Sequence, residues 1–448
     1  MSDFESLMWT LDGDARLSST VANLSLLDRA PDWDRLTRRL ARAAIAFERL
    51  HQRVEEAPGR LGPPRWVDDP DFELSHHLRR VRLTRSRSRR ALLDLAMELF
   101  SEPFDRTRPL WDFVVIEGLP QGRAAMLQRI HHTLTDGEGG LRLSMEFIDL
   151  ERDAPEPPPI EPRRPPGPDV GDTPLVALAR FGWDRVTATA RTAAASVTNP
   201  AELVRTTRSA LDVTRSTLRQ AKFTDHHLSP LWTERSLGRR LHLLDVPLAG
   251  LKDAASRLGG SVNDAFVTAA ADAAGAVHRA AGQPVAELRM AMPISTRHGR
   301  DTGGNQFSPS QSVVPCGEMP ITERFRRVHD VLATTRAEPA ITATDGLAGA
   351  VNLLPPPLLR EIGFRLASTV DFVTSNMRAA PFDVYLAGAK MTGNYPIGPL
   401  AGTAFNMTTM SYCGQLCIGL VTDPAAIGDP EALVAEMERA FRELLSAR

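Results

Sequence analysis

Between Val21 and Leu27, polar Asn23 and Ser25 alternate with apolar Leu24 and Leu26, the period of a half-buried strand. The rhythm then changes. Leu36, Leu40, Ala44 and Phe47 recur at helical spacing, and Asp32 or Asp34 stands where an N-cap belongs. Pro63, Pro64 and Asp68-Asp69-Pro70 mark a loop, and Leu92, Leu93, Leu95, Ala96 and Leu99 predict a helix over 90–100. Two apolar runs follow, 113–117 and 124–130, and the glycine-bounded turn 118–122 pairs them as a hairpin. The second run leads straight into His131-His132. Gly139 and Gly140 break the next loop, and 141–150 resumes as a helix.

The stretch 154–168 is dominated by proline and reads as an extended, semi-rigid linker rather than packed structure. Beyond it, 174–223 reads as helix, broken near Asn199-Pro200. The pattern then alternates again: a strand at 241–246, an alanine-rich helix over 262–281, strands at 288–294 and 311–314, the stretch 412–421 and a final helix over 430–446. Mixed α/β content on both sides of a proline-rich crossover predicts an N-terminal domain over 1–153, a linker over 154–173 and a second domain of similar class within 174–448.

The 174–223 segment carries eight basic and three acidic residues. At about 100° per residue, Val204, Leu211 and Leu218 form a narrow apolar stripe bordered by Arg208, Arg215 and Arg219. Such a helix can press into a membrane or lipid-droplet surface while its arginines reach anionic headgroups. An ordinary amphipathic helix packed on its own domain has the same pattern.

Composition narrows the chemistry. Over 448 residues, 53 Lys+Arg against 55 Asp+Glu leave a net charge of −2, which argues against a nucleic-acid coat. Lys222, Lys252 and Lys390 are the only lysines, and no Gly-Lys-Ser or Gly-Lys-Thr occurs, so a P-loop is excluded. Cys316, Cys413 and Cys417 form no disulfide framework, and the last two lack a second ligand pair for zinc. The N-terminus has no basic or apolar leader, and no run approaches the roughly 20 apolar residues of a membrane span. The expected location is the cytoplasm, with a peripheral seat on the inner membrane or on lipid droplets if the basic helices serve as an anchor.

The strongest chemical signal is His131-His132-Thr133-Leu134-Thr135-Asp136-Gly137 at the end of a predicted strand. Neighbouring strand residues point to opposite faces, so one histidine looks into the fold and the other away from it. A neutral imidazole suits a general base near neutral pH. Asp136 can brace the turn, and Gly137 permits a backbone shape or close approach that a side chain would block. His-His also occurs at 76–77 and 226–227, but without Asp and Gly at those offsets. A nucleophile elbow, a His-Glu-x-x-His zinc motif and a dinucleotide glycine loop are all missing. A lone histidine base needs an already activated substrate, such as an acyl thioester.

These residues resemble the bacterial wax ester synthase/diacylglycerol acyltransferase family. That family lies within the CoA-dependent acyltransferase superfamily, with chloramphenicol acetyltransferase and peptide-synthetase condensation domains. The match covers nearly the whole chain: His-His-x-x-x-Asp-Gly at 131–137, Pro109-Leu110-Trp111, and Asn263-Asp264 on a helix. Trp66-Val67-Asp68, Pro293-Ile294-Ser295-Thr296-Arg297 with Gly304-Asn305, and Ser411-Tyr412-x-Gly414 are similar pieces. Two elements depart from the pattern. Asn376-Met377-Arg378-Ala379-Ala380-Pro381 stands where the family has Asn-Val-Pro-Gly-Pro, and Phe47-Glu48-Arg49-Leu50 where it has Pro-x-x-Arg.

The resemblance implies an α/β fold of two chloramphenicol acetyltransferase-like domains, each a mixed sheet with flanking helices, with a tunnel between them. It implies acyl-CoA as donor substrate, no cofactor, and diacylglycerol or a fatty alcohol as lipid acceptor. It makes His132 the base, His131 structural, Asp136 a loop brace through an arginine such as Arg297, and Asn263 a donor to the oxyanion. Pro109, Leu110 and Trp111 would line the acyl tunnel or pack beneath the motif, and Asp264 would cap its helix. The departures leave open another acceptor, such as a glycolipid, polyketide alcohol or amine. A catalytically silent lipid-binding relative is the other alternative.

Overall fold

The computed structural model describes residues 1–57, 63–84, 86–135, 137–158, 160, 226–295, 307–337, 352 and 354–447. The 174–223 helices with Arg208, Arg215 and Arg219, most of the linker, Asp136, Arg297, Gly304 and Asn305 lie outside these residues.

In chain order the first strands are β1 (Thr20–Leu27), β2 (Gln52–Glu55), β3 (Arg65–Asp68), β4 (Leu78–Arg82), β5 (Trp111–Glu117), β6 (Ala124–His131) and β7 (Ile148–Asp149). After the linker come β8 (Arg240–Pro247), β9 (Glu287–Ser295), β10 (Phe307–Pro315), β11 (Phe372–Arg378), β12 (Tyr385–Leu386), β13 (Ala389–Ile397), β14 (Phe405–Tyr412) and β15 (Gln415–Thr422). The helices are α1 (Asp3–Leu11), α2 (Trp33–Ala46), α3 (Arg89–Ser101), α4 (Gly137–Ser144), α5 (Leu248–Arg257), α6 (Val262–Ala280), α7 (Ile321–Arg336), α8 (Pro356–Ser368) and α9 (Pro430–Ser446).

Two mixed sheets form the frame. One has seven strands in the order β4-β5-β6-β1-β13-β12-β7, the other six in the order β10-β9-β11-β14-β15-β8. β4 runs parallel to β5, and β11 parallel to β14 and β9, while the other pairs are antiparallel. The first sheet takes β12 and β13 from beyond residue 380, so the sheets do not coincide with the two halves of the sequence. β13 also lies against the other sheet. A Cβ on Gly419 of β15 would come within 2.0 Å of the Pro396 carbonyl, so only glycine permits this approach.

The helices cover the outer faces. On the six-stranded sheet, Phe266, Ala270 and Ala274 of α6 meet Phe325 and Leu332 of α7 and Leu433, Met437 and Phe441 of α9 in one buried cluster. Alanine suits α6 because it sits between a sheet and two helices. At Gly275 a Cβ would come within 2.0 Å of the Cys316 carbonyl. On the seven-stranded sheet, Leu92, Leu93, Ala96 and Phe100 of α3 pack on Leu24, Val114 and Leu127, with Leu241 and Val421 of the other sheet in the same cluster.

The structure corrects two readings and fills in a third stretch. The expected helix over 141–150 is α4 at Gly137–Ser144 followed by the short strand β7. Glycines at 139 and 140 cost helix propensity, about 1 kcal/mol each, yet Leu143 and Phe147, both buried, dock the segment. The stretch 412–421 holds the last residue of β14, a turn and β15, because Cys413 and Gly414 take positive φ (44° and 78°) and turn a two-residue hairpin. The first linker residues are packed rather than freely extended. Arg35 donates to Ala154 O (2.8 Å), Arg39 to Pro155 O (2.9 Å) and Arg42 to Pro158 O (3.3 Å), while Arg38 pairs with Glu156 (2.8 Å). One face of α2 thus supplies the donors that a proline-rich chain cannot supply to itself.

Candidate active site

The His-His pair sits where β6 leaves the sheet. His131 pairs across to Thr20, its N–H donates to Leu110 O (2.9 Å), and the next N–H, of His132, donates to Ser19 O (2.9 Å). The turn is therefore held from both sides, by the segment before β5 and by the segment before β1.

The His131 ring is enclosed, with 1% of the residue exposed. Its Nδ1 accepts the Thr133 N–H at 3.3 Å and lies 2.7 Å from the Thr133 hydroxyl. A neutral ring that accepts at Nδ1 carries its proton on Nε2, and that nitrogen faces Asp12 Oδ1 at 3.4 Å. The Trp9 ring lies edge-on at 6.4 Å. Burial pushes the Asp12 carboxyl up, but the His131 contact, the Ser19 amide and Arg106 together hold it below its ordinary range. Asp12 Oδ1 also accepts the Ser19 N–H (3.0 Å), so one carboxylate braces both His131 and the residue whose carbonyl holds His132. Sequence reading missed Asp12. It lies at the end of α1, far from the motif, and no local pattern marks it.

His132, in the turn after β6, is half-buried, as are Ile130 of β6 and Val21 and Asn23 of β1, Val21 being paired with Ile130. Mid-sheet residues that keep such access line a gap rather than a packed core. A crevice with no room for a water molecule lies beside Ile130, lined by Phe47, Arg49, Leu50, Leu134, Thr135 and Leu143. It is mostly aliphatic. Its charged member, Arg49, lies over the Trp66 ring at 4.3 Å, and burial holds its pKa down against the pull of Glu5 and Glu48. The departure at 47–50 thus lies in the crevice wall. As packed here, the crevice has no room for a ligand. Gly137 opens α4 directly after the turn.

Pro109-Leu110-Trp111 lies beneath the motif. Leu110 and Trp111 are each 1% exposed. The Trp111 indole N–H donates to Leu50 O (2.8 Å), and its ring stacks on His77 (centroids 4.7 Å apart), which stacks in turn on Phe72. Trp111 pairs with Ile130 across the strands, so this tripeptide and the His-His turn are one unit. Of the two roles open to it, packing beneath the motif is the one its burial matches.

Asn263 and Asp264 begin α6 and belong to the other sheet's layer. Asp264 is 1% exposed and caps the helix: its Oδ2 accepts the Ser261 N–H (2.8 Å) and hydroxyl (2.9 Å) while Ser261 accepts the Asp264 N–H. His329 Nδ1 of α7 lies 3.0 Å from the same oxygen. The Asn263 amide donates to Met292 Sδ at 3.5 Å. Asn376 and Arg378 lie on β11 with exposed side chains, and Ala379 N–H continues the pairing to Ser411 O (3.1 Å). The departure from Asn-Val-Pro-Gly-Pro therefore forms a regular strand end, with the arginine in solvent. Tyr412, buried at 3%, donates its hydroxyl to Met391 O (2.9 Å) and ties β14 to β13.

Comparison with known proteins agrees with this architecture. Residues 1–266 match the wax ester synthase/diacylglycerol acyltransferase catalytic domain, and residues 303–445 match the WS/DGAT C-terminal domain. A Mycobacterium tuberculosis (strain H37Rv) protein named as a diacylglycerol O-acyltransferase is 34% identical over 450 residues, covering 98% of this chain and 90% of its own. The solved wax ester synthase/diacylglycerol acyltransferase of Marinobacter aquaeolei VT8 superposes with a TM-score of 0.62 at 20% identity, over 98% and 97% of the two chains. The starter condensation domain of rhizomide synthetase, solved with C8-CoA, superposes with a TM-score of 0.61 at 16% identity, over 99% and 93%. The two mixed sheets are thus the two halves of a chloramphenicol acetyltransferase-like fold, and this chain, an acyltransferase, belongs to the wax ester synthase/diacylglycerol acyltransferase family.

Proposed function

We propose that the protein transfers a long-chain acyl group from CoA to diacylglycerol, to a fatty alcohol, or to both, with His132 as general base. One observation carries the assignment of the base. His131 is spent on the fold, enclosed by Asp12, Thr133 and Trp9, while the next residue, His132, is half-buried and so keeps access to its surroundings.

The reaction balances without an acyl-enzyme. The acceptor hydroxyl gives its proton to His132 as its oxygen attacks the thioester carbonyl. The oxyanion so formed needs a donor, and the Asn263 amide is our candidate. The tetrahedral intermediate collapses, the carbon–sulfur bond breaks, and the thiolate takes the proton back from the imidazolium. The products are an ester and free CoA. Acyl-CoA is a substrate here, and no cofactor is invoked. We assign Asp136 and Gly137 the bracing of the loop after His132 that the motif implies. The 174–223 segment would add a basic contact to a lipid surface.

A second reading keeps the chemistry and changes the acceptor. It rests on Arg378, a charge exposed at the end of β11 where the family pattern has proline and glycine. The test is CoA release from palmitoyl-CoA by purified protein, with diacylglycerol and with hexadecanol, lipid products separated, and His132→Ala run alongside. We expect His132-dependent triacylglycerol or wax ester. Release no greater than in the variant with both acceptors would reject the lipid-alcohol reading in favour of a different acceptor or a silent relative.

A further inference from the structure

Four neutral polar side chains meet in the middle of the seven-stranded sheet. Asn23 and Ser25 of β1 share one face, Gln128 of β6 stands opposite Asn23, and Asn394 of β13 stands opposite Ser25. Ser25, Gln128 and Asn394 are 0%, 6% and 8% exposed. Packing alone gives a sheet no reason to bury such groups, and each one left unpaired is costly.

Their hydrogen bonds run in one fixed sense. Met410 of β14, in the other sheet, offers a thioether sulfur, which can only accept. Asn394 therefore turns its NH2 to that sulfur (3.1 Å) and its carbonyl towards β1. The carbonyl accepts from the Ser25 hydroxyl (3.1 Å) and from the Asn23 NH2. Ser25 Oγ accepts in turn from the NH2 groups of Asn23 and Gln128 (both 3.2 Å). All three amide nitrogens are thus engaged, and the carbonyls of Asn23 and Gln128 are left over. Asn23 Oδ1 is buried without a partner, and Gln128 Oε1 accepts nothing among the described residues. Flipping either amide would only turn its carbonyl onto oxygens that already accept. Two acceptors on directly opposed residues therefore lack donors.

The pair also lies in line with the base. Asn23 is half-buried and follows Val21 on the face that Ile130 shares. It stands four residues from Ser19, whose carbonyl holds the His132 N–H, a span of about 13 Å in an extended strand.

We propose that Asn23 and Gln128 bind the pantetheine arm of the acyl-CoA donor, accepting hydrogen bonds from its amide N–H and hydroxyl groups. The chemistry of the pair selects this part of the substrates. Free carbonyls call for donors, and a neutral network offers no counter-charge to a phosphate. Diacylglycerol and a fatty alcohol each carry one donor, the hydroxyl that reacts at the base. The pantetheine arm carries two amides and a hydroxyl beyond the thioester, and when extended it places them within that span of strand. The inference deepens the acyl-CoA reading above and rests on it.

The test is the dissociation constant of octanoyl-CoA for the full-length protein, measured by titration calorimetry with no acceptor present. S-ethyl octanethioate, which has the same acyl thioester and no arm, is titrated alongside. Gln128→Met keeps the length of the side chain and removes its carbonyl, and Asn23→Leu removes the opposed one. Each should weaken octanoyl-CoA about tenfold, the loss of one neutral hydrogen bond, and leave S-ethyl octanethioate within about twofold. Equal weakening of both thioesters overturns the proposal, because the network would then only shape the sheet. So does unaltered octanoyl-CoA binding by both variants, because water would then satisfy the carbonyls. Binding is read without turnover, so a failure of acyl transfer would not be mistaken for a failure of this inference.

Discussion

Trp111→Phe separates the two roles open to the Pro-Leu-Trp element. The substitution removes the indole N–H that donates to Leu50 O at 2.8 Å, in a setting where Trp111 and Leu50 are each 1% exposed. A buried carbonyl stripped of its donor costs about 1–3 kcal/mol. The smaller ring also leaves a partial void against His77 and Phe113, which adds roughly 1 kcal/mol by comparison with larger core truncations. The expected loss is about 2–4 kcal/mol in total, a large share of the roughly 5–15 kcal/mol that holds a typical domain folded. Urea unfolding followed by far-UV circular dichroism should show a lower midpoint with little change in slope. If Trp111 only packs, the ratio of kcat/KM for octanoyl-CoA to that for palmitoyl-CoA should stay within about twofold, since a smaller change than 0.4 kcal/mol is involved. A variant of undiminished stability with a shifted chain-length preference would refute the packing argument and place the indole on the acyl path.

Asp12→Ala should lower kcat at least about tenfold with KM nearly unchanged, because it frees Ser19 and His131 without touching the crevice. Partial rescue by Asp12→Asn, which keeps an acceptor for the Ser19 N–H, would separate positioning from general destabilisation, and equal loss in KM would count against it. His77 supplies a pH prediction. Burial lowers its pKa below the ordinary value despite the Trp111 carbonyl, which accepts from Nδ1 at 2.7 Å. The unfolded chain therefore takes up a proton near pH 6.5 while the folded chain does not, and stability falls as pH drops through and below that value. Asp371, pushed up to about 6 by burial, acts in the opposite sense between about pH 6 and 4. The measurement is thus the difference between wild type and His77→Gln, whose urea midpoint should fall less steeply from pH 7 to 5. Parallel curves would show that His77 is not the group involved.

What could be read from the chain was what is local. The hairpin of β5 and β6 follows from two apolar runs around a glycine-bounded turn, and the alanine-rich run after residue 261 is the helix α6. Segments whose logic is remote were not legible. β11, β12 and β13 are defined by partners in other parts of the chain, and Asp12 meets His131 only after two sheets have formed. Helix α8 escaped because Leu358, Ile362 and Leu366 face outward and Leu359 is its one buried residue, so the usual apolar face was not there to see. The Pro-rich stretch read as a free spacer because its docking donors, Arg35, Arg38, Arg39 and Arg42, lie on a helix that composition alone does not aim at it.

The loan of β12 and β13 to the seven-stranded sheet bears on how the enzyme breathes. A two-layer enzyme with its site at a seam could admit substrate by swinging its halves apart. Here the same backbone passes from β11 in one sheet to β13 in the other, and Gly419 is pressed against Pro396 where they meet. A hinge motion that parted the sheets would have to break the seam where β13 lies against β15. That close backbone contact resists opening between the sheets, so the frame stays clasped where the two layers meet.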